Sequence, residues 1–165
     1  MVRRAYSLTE MLVVIVIVAI VATMVVARNG GSDSSKLAGA AQVLVADLAF
    51  AQVESIAHSD DPRLVVFNTA TNTYYLTKSS AQTTPLTNPV GKLPYQVTFG
   101  KGPVANLSGV KITAYSLGGD DRIQFGQYGQ LDQTAPATIA LTSGARTIII
   151  SIDPISGEAS MGPIQ

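Results

Sequence analysis

One carboxylate stands against an apolar run. Glu10 precedes Met11–Ala27, 17 residues without a charge, of which only Thr23 is not hydrophobic. At the centre of a bilayer helix a charged side chain costs roughly 2.5–3.5 kcal/mol on insertion scales, and less near the interface. Such a group needs a partner, and none lies nearby on the outward side of the run. Elsewhere the chemistry is sparse. There is no cysteine and only one histidine. That excludes a disulfide framework, a thiolate zinc site, an iron–sulfur cluster and a cysteine nucleophile, and leaves little for a multi-histidine metal site. His58 closes an expected helix, where the helix dipole favours it. Asp120, Asp121 and Asp132 are hard oxygen ligands of the kind calcium takes, but they lack a regular ligand spacing and read as a solvated turn. Gly126-Gln127-Tyr128-Gly129 lacks the Lys-Ser/Thr continuation and following helix of a phosphate loop, so it reads as a β-turn. Ser7 and Thr9 are polar groups at a helix start rather than a nucleophile pair. With no nucleophile–base constellation the chain is not expected to be an enzyme, and no metal or cofactor is expected.

The run dictates the next element. As a helix, Met11–Ala27 would extend about 26 Å at ~1.5 Å per residue, against a hydrocarbon core of ~30 Å. Eleven of its residues are Val, Ile or Thr, which in water would favour a strand. In lipid a lone strand leaves its backbone unpaired, so a helix is expected. Arg3 and Arg4 precede it and are expected on the cytoplasmic side, with everything after Arg28 on the far side. A cleaved signal ending at Val25-Val26-Ala27 and a plain anchor both accommodate the run, but neither accounts for Glu10.

Beyond the run, Asn29-Gly30-Gly31-Ser32-Asp33-Ser34-Ser35 is a breaker cluster. It would kink one long helix or separate two, with Asp33 or Ser34 as a cap. A second helix is expected over 36–58. Leu37, Ala41, Leu44, Leu48 and Ala51 fall on one face, flanked by Val45 and Phe50, with Asp47 and Glu54 on the wetter face. After Asp60-Asp61-Pro62 the pattern turns to strands: Arg63–Asn68 and Asn72–Thr77 as a hairpin, then Tyr95–Phe99, Val110–Ser116, Arg122–Phe125, Thr138–Thr142 and Thr147–Ile152. Lys78 to Gly91 is expected to be a loop. The layout is α+β: an N-terminal hydrophobic transmembrane helix, then an amphipathic helix packed on an antiparallel sheet.

The order Arg3-Arg4, Ala5, Tyr6, Ser7 to Thr9, Glu10 and then the apolar run resembles the N-terminus of type IV pilins and type II secretion pseudopilins. That family has a short basic leader ending in a small residue, usually glycine; here Ala5 takes that place. The resemblance implies a leader over 1–5, cleaved between Ala5 and Tyr6 by a prepilin peptidase, and N-methylation of Tyr6. Glu10 then becomes fifth in the mature chain. It implies that Glu10 pairs with the new α-amine of a neighbouring subunit, fixing filament register because an unpaired buried charge is heavily penalised. Residues 6–28 would be the transmembrane and assembly helix. Residues 29–165 would be a periplasmic globular domain, held by a single pass through the inner membrane with the N-terminus cytoplasmic. The segments Leu44–Ala57, Phe125–Gln130 and Ile150–Glu158 are similar to the minor pseudopilin H and FimT group. The implied role is a structural minor pseudopilin of a type II secretion system, with a FimT-like minor pilin of a DNA-uptake machine as the alternative. Its partners would be other pilin-like subunits, the peptidase and the membrane.

Composition fits this division. Charged residues are 13% of the 165-residue chain, about half the usual share. Without the run the hydrophobic fraction falls from 47% to about 42%, ordinary for one soluble domain. From Asn29 onward eight Lys and Arg face ten acids, a net of −2. The cations are scattered, so nucleic acid is not an expected partner, since phosphate binding needs local positive charge.

Overall fold

The structure, a computed structural model, describes Thr9, residues 11–15 and residues 29–165. Arg3, Arg4, Ala5, Tyr6, Ser7, Glu10 and most of the apolar run lie outside the described residues. The chain divides into two compact units, Met1–Ser32 and Asp33–Gln165. In the first, Thr9 and residues 11–15 are helical. Met11, Leu12, Val13, Val14 and Ile15 are all exposed apolar residues.

Helix α1 spans Asn29–Ala57, so it starts before Lys36 and takes Gly30 and Gly31 into regular helix. The breaker reading of Asn29–Ser35 is corrected here. Glycine costs only about 1 kcal/mol per helical position, and a helix already nucleated downstream propagates cheaply. Asp33 is not a cap but an internal residue: Ser143 Oγ donates to its Oδ1 at 3.1 Å, tying α1 to the opposite end of the domain's sequence. By length and composition Asp33–Ala57 would itself cross a bilayer. Its apolar face is already occupied, however, since Leu37, Ala40, Ala41, Leu44, Leu48 and Ala51 have no exposed surface.

Eight strands follow: β1 Arg63–Asn68, β2 Thr73–Lys78, β3 Gln96–Thr98, β4 Val110–Ser116, β5 Arg122–Gln124, β6 Ala137–Ser143, β7 Arg146–Ile152 and β8 Ala159–Met161. They form two four-stranded sheets rather than the single sheet expected, in the orders β3-β2-β1-β5 and β4-β6-β7-β8. All neighbours are antiparallel. In β1 five successive residues are buried, the mark of a strand covered on both faces. In β6 burial alternates strictly, the mark of a strand with one face on the core. The core joins the α1 stripe to Phe67, Tyr74 and Leu76 of the first sheet and Ile139, Leu141, Ile150 and Ile152 of the second.

Besides the shared core, one polar side chain links the two sheets. Asn72, at φ 56° in the β1–β2 turn, donates from Nδ2 to Val110 O and accepts at Oδ1 from Ile112 N, both at 2.8 Å. Its amide thus pairs with β4 as a neighbouring strand would. At the far edge the C-terminal tail continues the β8 pairing along β7: Gly162 N donates to Ile149 O at 2.8 Å, and Thr147 and Gln165 exchange bonds at 3.0 and 2.9 Å.

Candidate functional site

The residues expected to direct processing and assembly, Ala5, Tyr6 and Glu10, lie outside the described residues. Within the globular unit the most developed polar site centres on Asp47, and here the structure corrects the sequence reading. Asp47 does not mark the wetter face of α1. Three residues after Leu44 and four before Ala51, it points at the first sheet. Tyr74 of β2 donates its hydroxyl to Oδ2 at 2.6 Å, and Tyr95, just before β3, donates to Oδ1 at 2.9 Å. Burial raises the Asp47 carboxyl above its ordinary value, and the two phenol hydrogen bonds oppose that rise. Burial, reinforced by the Asp47 charge, pushes both tyrosine hydroxyls well above the usual range. The Tyr95 ring stacks on Phe50, with centroids 5.4 Å apart and planes 17° from parallel. Four residues of α1, β2 and the β3 approach are thereby locked together.

Farther along α1, Gln52 joins two distant turns. Its Nε2 donates to Gly129 O at 2.8 Å and Ser156 O at 2.7 Å. The segments 126–130 and 153–157, singled out separately in the sequence, are therefore neighbours held by one helical side chain. Gly126-Gln127-Tyr128-Gly129 is a turn, as expected, with Gly129 N donating to Gly126 O at 2.9 Å. Asp153 shapes its own turn by accepting from Ile155 N and Ser156 N at 2.9 and 2.8 Å. Those bonds hold its carboxyl below the ordinary value.

The remaining candidates have structural partners. Glu54 is half-buried and lies 3.6 Å from Arg63 Nη2 and 3.4 Å from His58 Nδ1. His58 sits just past the end of α1, its Nδ1 3.0 Å from Glu54 O. Ser55 Oγ accepts from Arg63 N at 2.8 Å and sews the helix end to β1. Asp120 and Asp121 flank Arg122 at 3.5 and 3.2 Å. Burial, and then the Asp120 charge, raise the Asp132 carboxyl. Among the described residues no group of three or more His, Asp or Glu is placed to hold a metal. Two of the eight cations of the globular unit, Arg63 and Arg122, are committed to internal ion pairs.

Comparison with known proteins bears on both ends of the chain. The family described as the prokaryotic N-terminal methylation motif matches residues 1–26. No curated protein sequence matches the chain. Among solved structures, the chain is similar to the minor pseudopilin EpsH from the type 2 secretion system of Vibrio cholerae. The TM-score is 0.55 at 15% identity, covering 77% of this chain and 96% of that one. It is similar also to the type IV minor pilin FimU of Pseudomonas aeruginosa strain PAO1, at TM-score 0.54 and 14% identity over 79% of this chain and 90% of that one. At such identities the likeness establishes the fold, which is pilin-like.

Proposed function

We propose that this chain, with a prokaryotic methylation motif at its start and a pilin-like fold behind it, is a structural minor pseudopilin of a type II protein secretion system. In this reading a prepilin peptidase removes residues 1–5, Tyr6 is N-methylated, and Glu10 pairs with the α-amine of an adjacent subunit. Residues 6–28 anchor the chain once in the inner membrane, and residues 29–165 stand in the periplasm. The protein performs no catalysis of its own. The observation that carries the reading is the junction of the motif over residues 1–26 with a globular unit built like minor pilin subunits. Neither feature alone specifies a filament subunit; together they supply an anchor, an assembly charge and a body.

The nearly equal likeness to FimU favours keeping a second reading, a minor pilin of a type IV pilus or DNA-uptake machine. The charge distribution weighs for secretion: the net of −2 from Asn29 onward gives no long-range attraction to a phosphate backbone. Titration with duplex DNA at two salt concentrations separates the readings. Sub-micromolar binding that falls steeply with salt identifies DNA uptake; weak binding at both fits secretion. The filament role itself is tested by Glu10→Gln. The variant should insert in the membrane normally, since it removes a charge from a bilayer segment, yet crosslink poorly to other pilin-like subunits. Wild-type crosslinking would remove Glu10 from the mechanism.

A further inference from the structure

A cavity of about 400 Å³ opens between α1, β3 and the loops on either side of β3. Val43, Leu93, Val97 and Val104 give it apolar walls, and Asp47 and Tyr95 give it a polar end. Asp47 is the unusual member. Its carboxylate is desolvated, receives two neutral phenol donors, and has no ion pair among the described residues. Lys101 also lines the cavity but is exposed and is not paired with it. Each carboxylate oxygen accepts at about two positions, and one on each is taken by a tyrosine. The positions left suit a compact ammonium, whose donors rotate freely. They suit less well a planar guanidinium, which wants both oxygens side by side. The Tyr95 ring, stacked on Phe50, also lines the cavity. The apolar walls match the four-methylene stem of lysine, which buries its carbons while its nitrogen seeks a partner.

β3 lies at the outer position of its sheet. Gln96 N already donates to Pro94 O and Thr98 O accepts from Lys101 N, so the edge is partly occupied; an edge strand is still where an extended polypeptide docks by main-chain hydrogen bonds, with neighbouring pockets choosing its side chains. We propose that this cavity binds the lysine side chain of a partner polypeptide laid along β3, with Asp47 receiving the ammonium.

The test uses the full-length, ¹⁵N-labelled chain in neutral detergent micelles. It is titrated with acetyl-lysine methylamide, which presents the side chain without charged termini. The expected result is shifts at the Val97 and Thr98 amides with a Kd on the order of 1 mM, reasonable for so small a ligand. Acetyl-norleucine methylamide, which keeps the stem and lacks the charge, should bind at least tenfold more weakly. Asp47→Asn, which keeps an acceptor oxygen for one of the two tyrosines, should cost at least tenfold. Lys101→Glu changes only an exposed residue and should tighten binding severalfold, so the proposal stays testable if the Asp47 variant fails to fold. Equal binding of the norleucine compound, shifts confined to other regions, or no response to Lys101→Glu would overturn it. Hexylammonium binding tenfold more tightly than the lysine amide would assign the cavity to free amines and overturn the polypeptide source.

Discussion

Asn72→Ala should weaken the tie between the two sheets and destabilise the whole unit. The substitution removes both 2.8 Å hydrogen bonds to β4, each contributing about 1 kcal/mol net. It also places alanine at φ 56°, where asparagine is tolerated and a plain Cβ adds about 1 kcal/mol of strain. The expected loss is about 3 kcal/mol. For a globular unit running from Asp33 to Gln165, 1 kcal/mol moves the midpoint by about 4 °C, so Tm should fall by roughly 12 °C. Asn72→Gly divides the sum: glycine accepts the left-handed backbone freely, so only the hydrogen-bond loss remains, about 2 kcal/mol or roughly 8 °C. Thermal melts of the detergent-solubilised chain, followed by near-ultraviolet circular dichroism of its tyrosines, read both values. A wild-type Tm for Asn72→Gly would refute the claim that the Asn72 amide couples the sheets. Equal losses for the two variants would refute the backbone part of the reasoning.

Gly157→Ala should cost more than about 3 kcal/mol, because φ is +69° and the new Cβ would collide with the Gly129 carbonyl and the Gln52 amide. Gly102→Ala, at φ +55° with open space around it, should cost only about 1–2 kcal/mol; urea unfolding of the pair compares them. For Asp47 the folded-state pKa lies above the ordinary 3.8, so its stability contribution is full below about pH 3.8 and is lost as pH rises through the folded value. Wild-type stability minus that of Asp47→Asn should therefore decrease from pH 4 to pH 7.5 in urea titrations. Asp61 and Asp153, whose pKa values are lowered, are common to both proteins and drop out of the difference.

Local patterns carried most of the strand layout. Val110–Ser116 has the same bounds in sequence and structure, and β1 likewise, because polar or glycine-containing turns bound them: Asp61-Pro62 and Thr69-Ala70-Thr71 around β1, Gly109 and Gly118 around β4. What was illegible depended on long-range partners. Asp47 sits at helical spacing from both Leu44 and Ala51, so its place beside the buried stripe was a readable signal. Its charge argued for solvent, and only Tyr74 and Tyr95, 27 and 48 residues away, resolve the conflict. The tie between the two sheets includes Asn72 reaching Val110 and Ile112, 38 and 40 residues on. β8 was missed because Ala159–Met161 is short, and its continuation Gly162 to Gln165 has a tail's composition. It pairs because β7 offers an edge. The continuity of α1 through Gly30-Gly31 shows propensity yielding to propagation from the packed turns downstream. At the N-terminus the reverse holds: the stretch containing Ala5, Tyr6 and Glu10 is a local sequence pattern, and the methylation-motif match covers residues 1–26; the roles of those three residues stand as proposals.

The most direct test of the account is the N-terminal mass of the chain recovered from the membrane of its native host. A pilin-like subunit matured as proposed begins at N-methylated Tyr6, with Glu10 fifth. An intact Met1 would leave only a plain anchor, and a chain starting at Arg28 would mean an ordinary signal; either result contradicts the account.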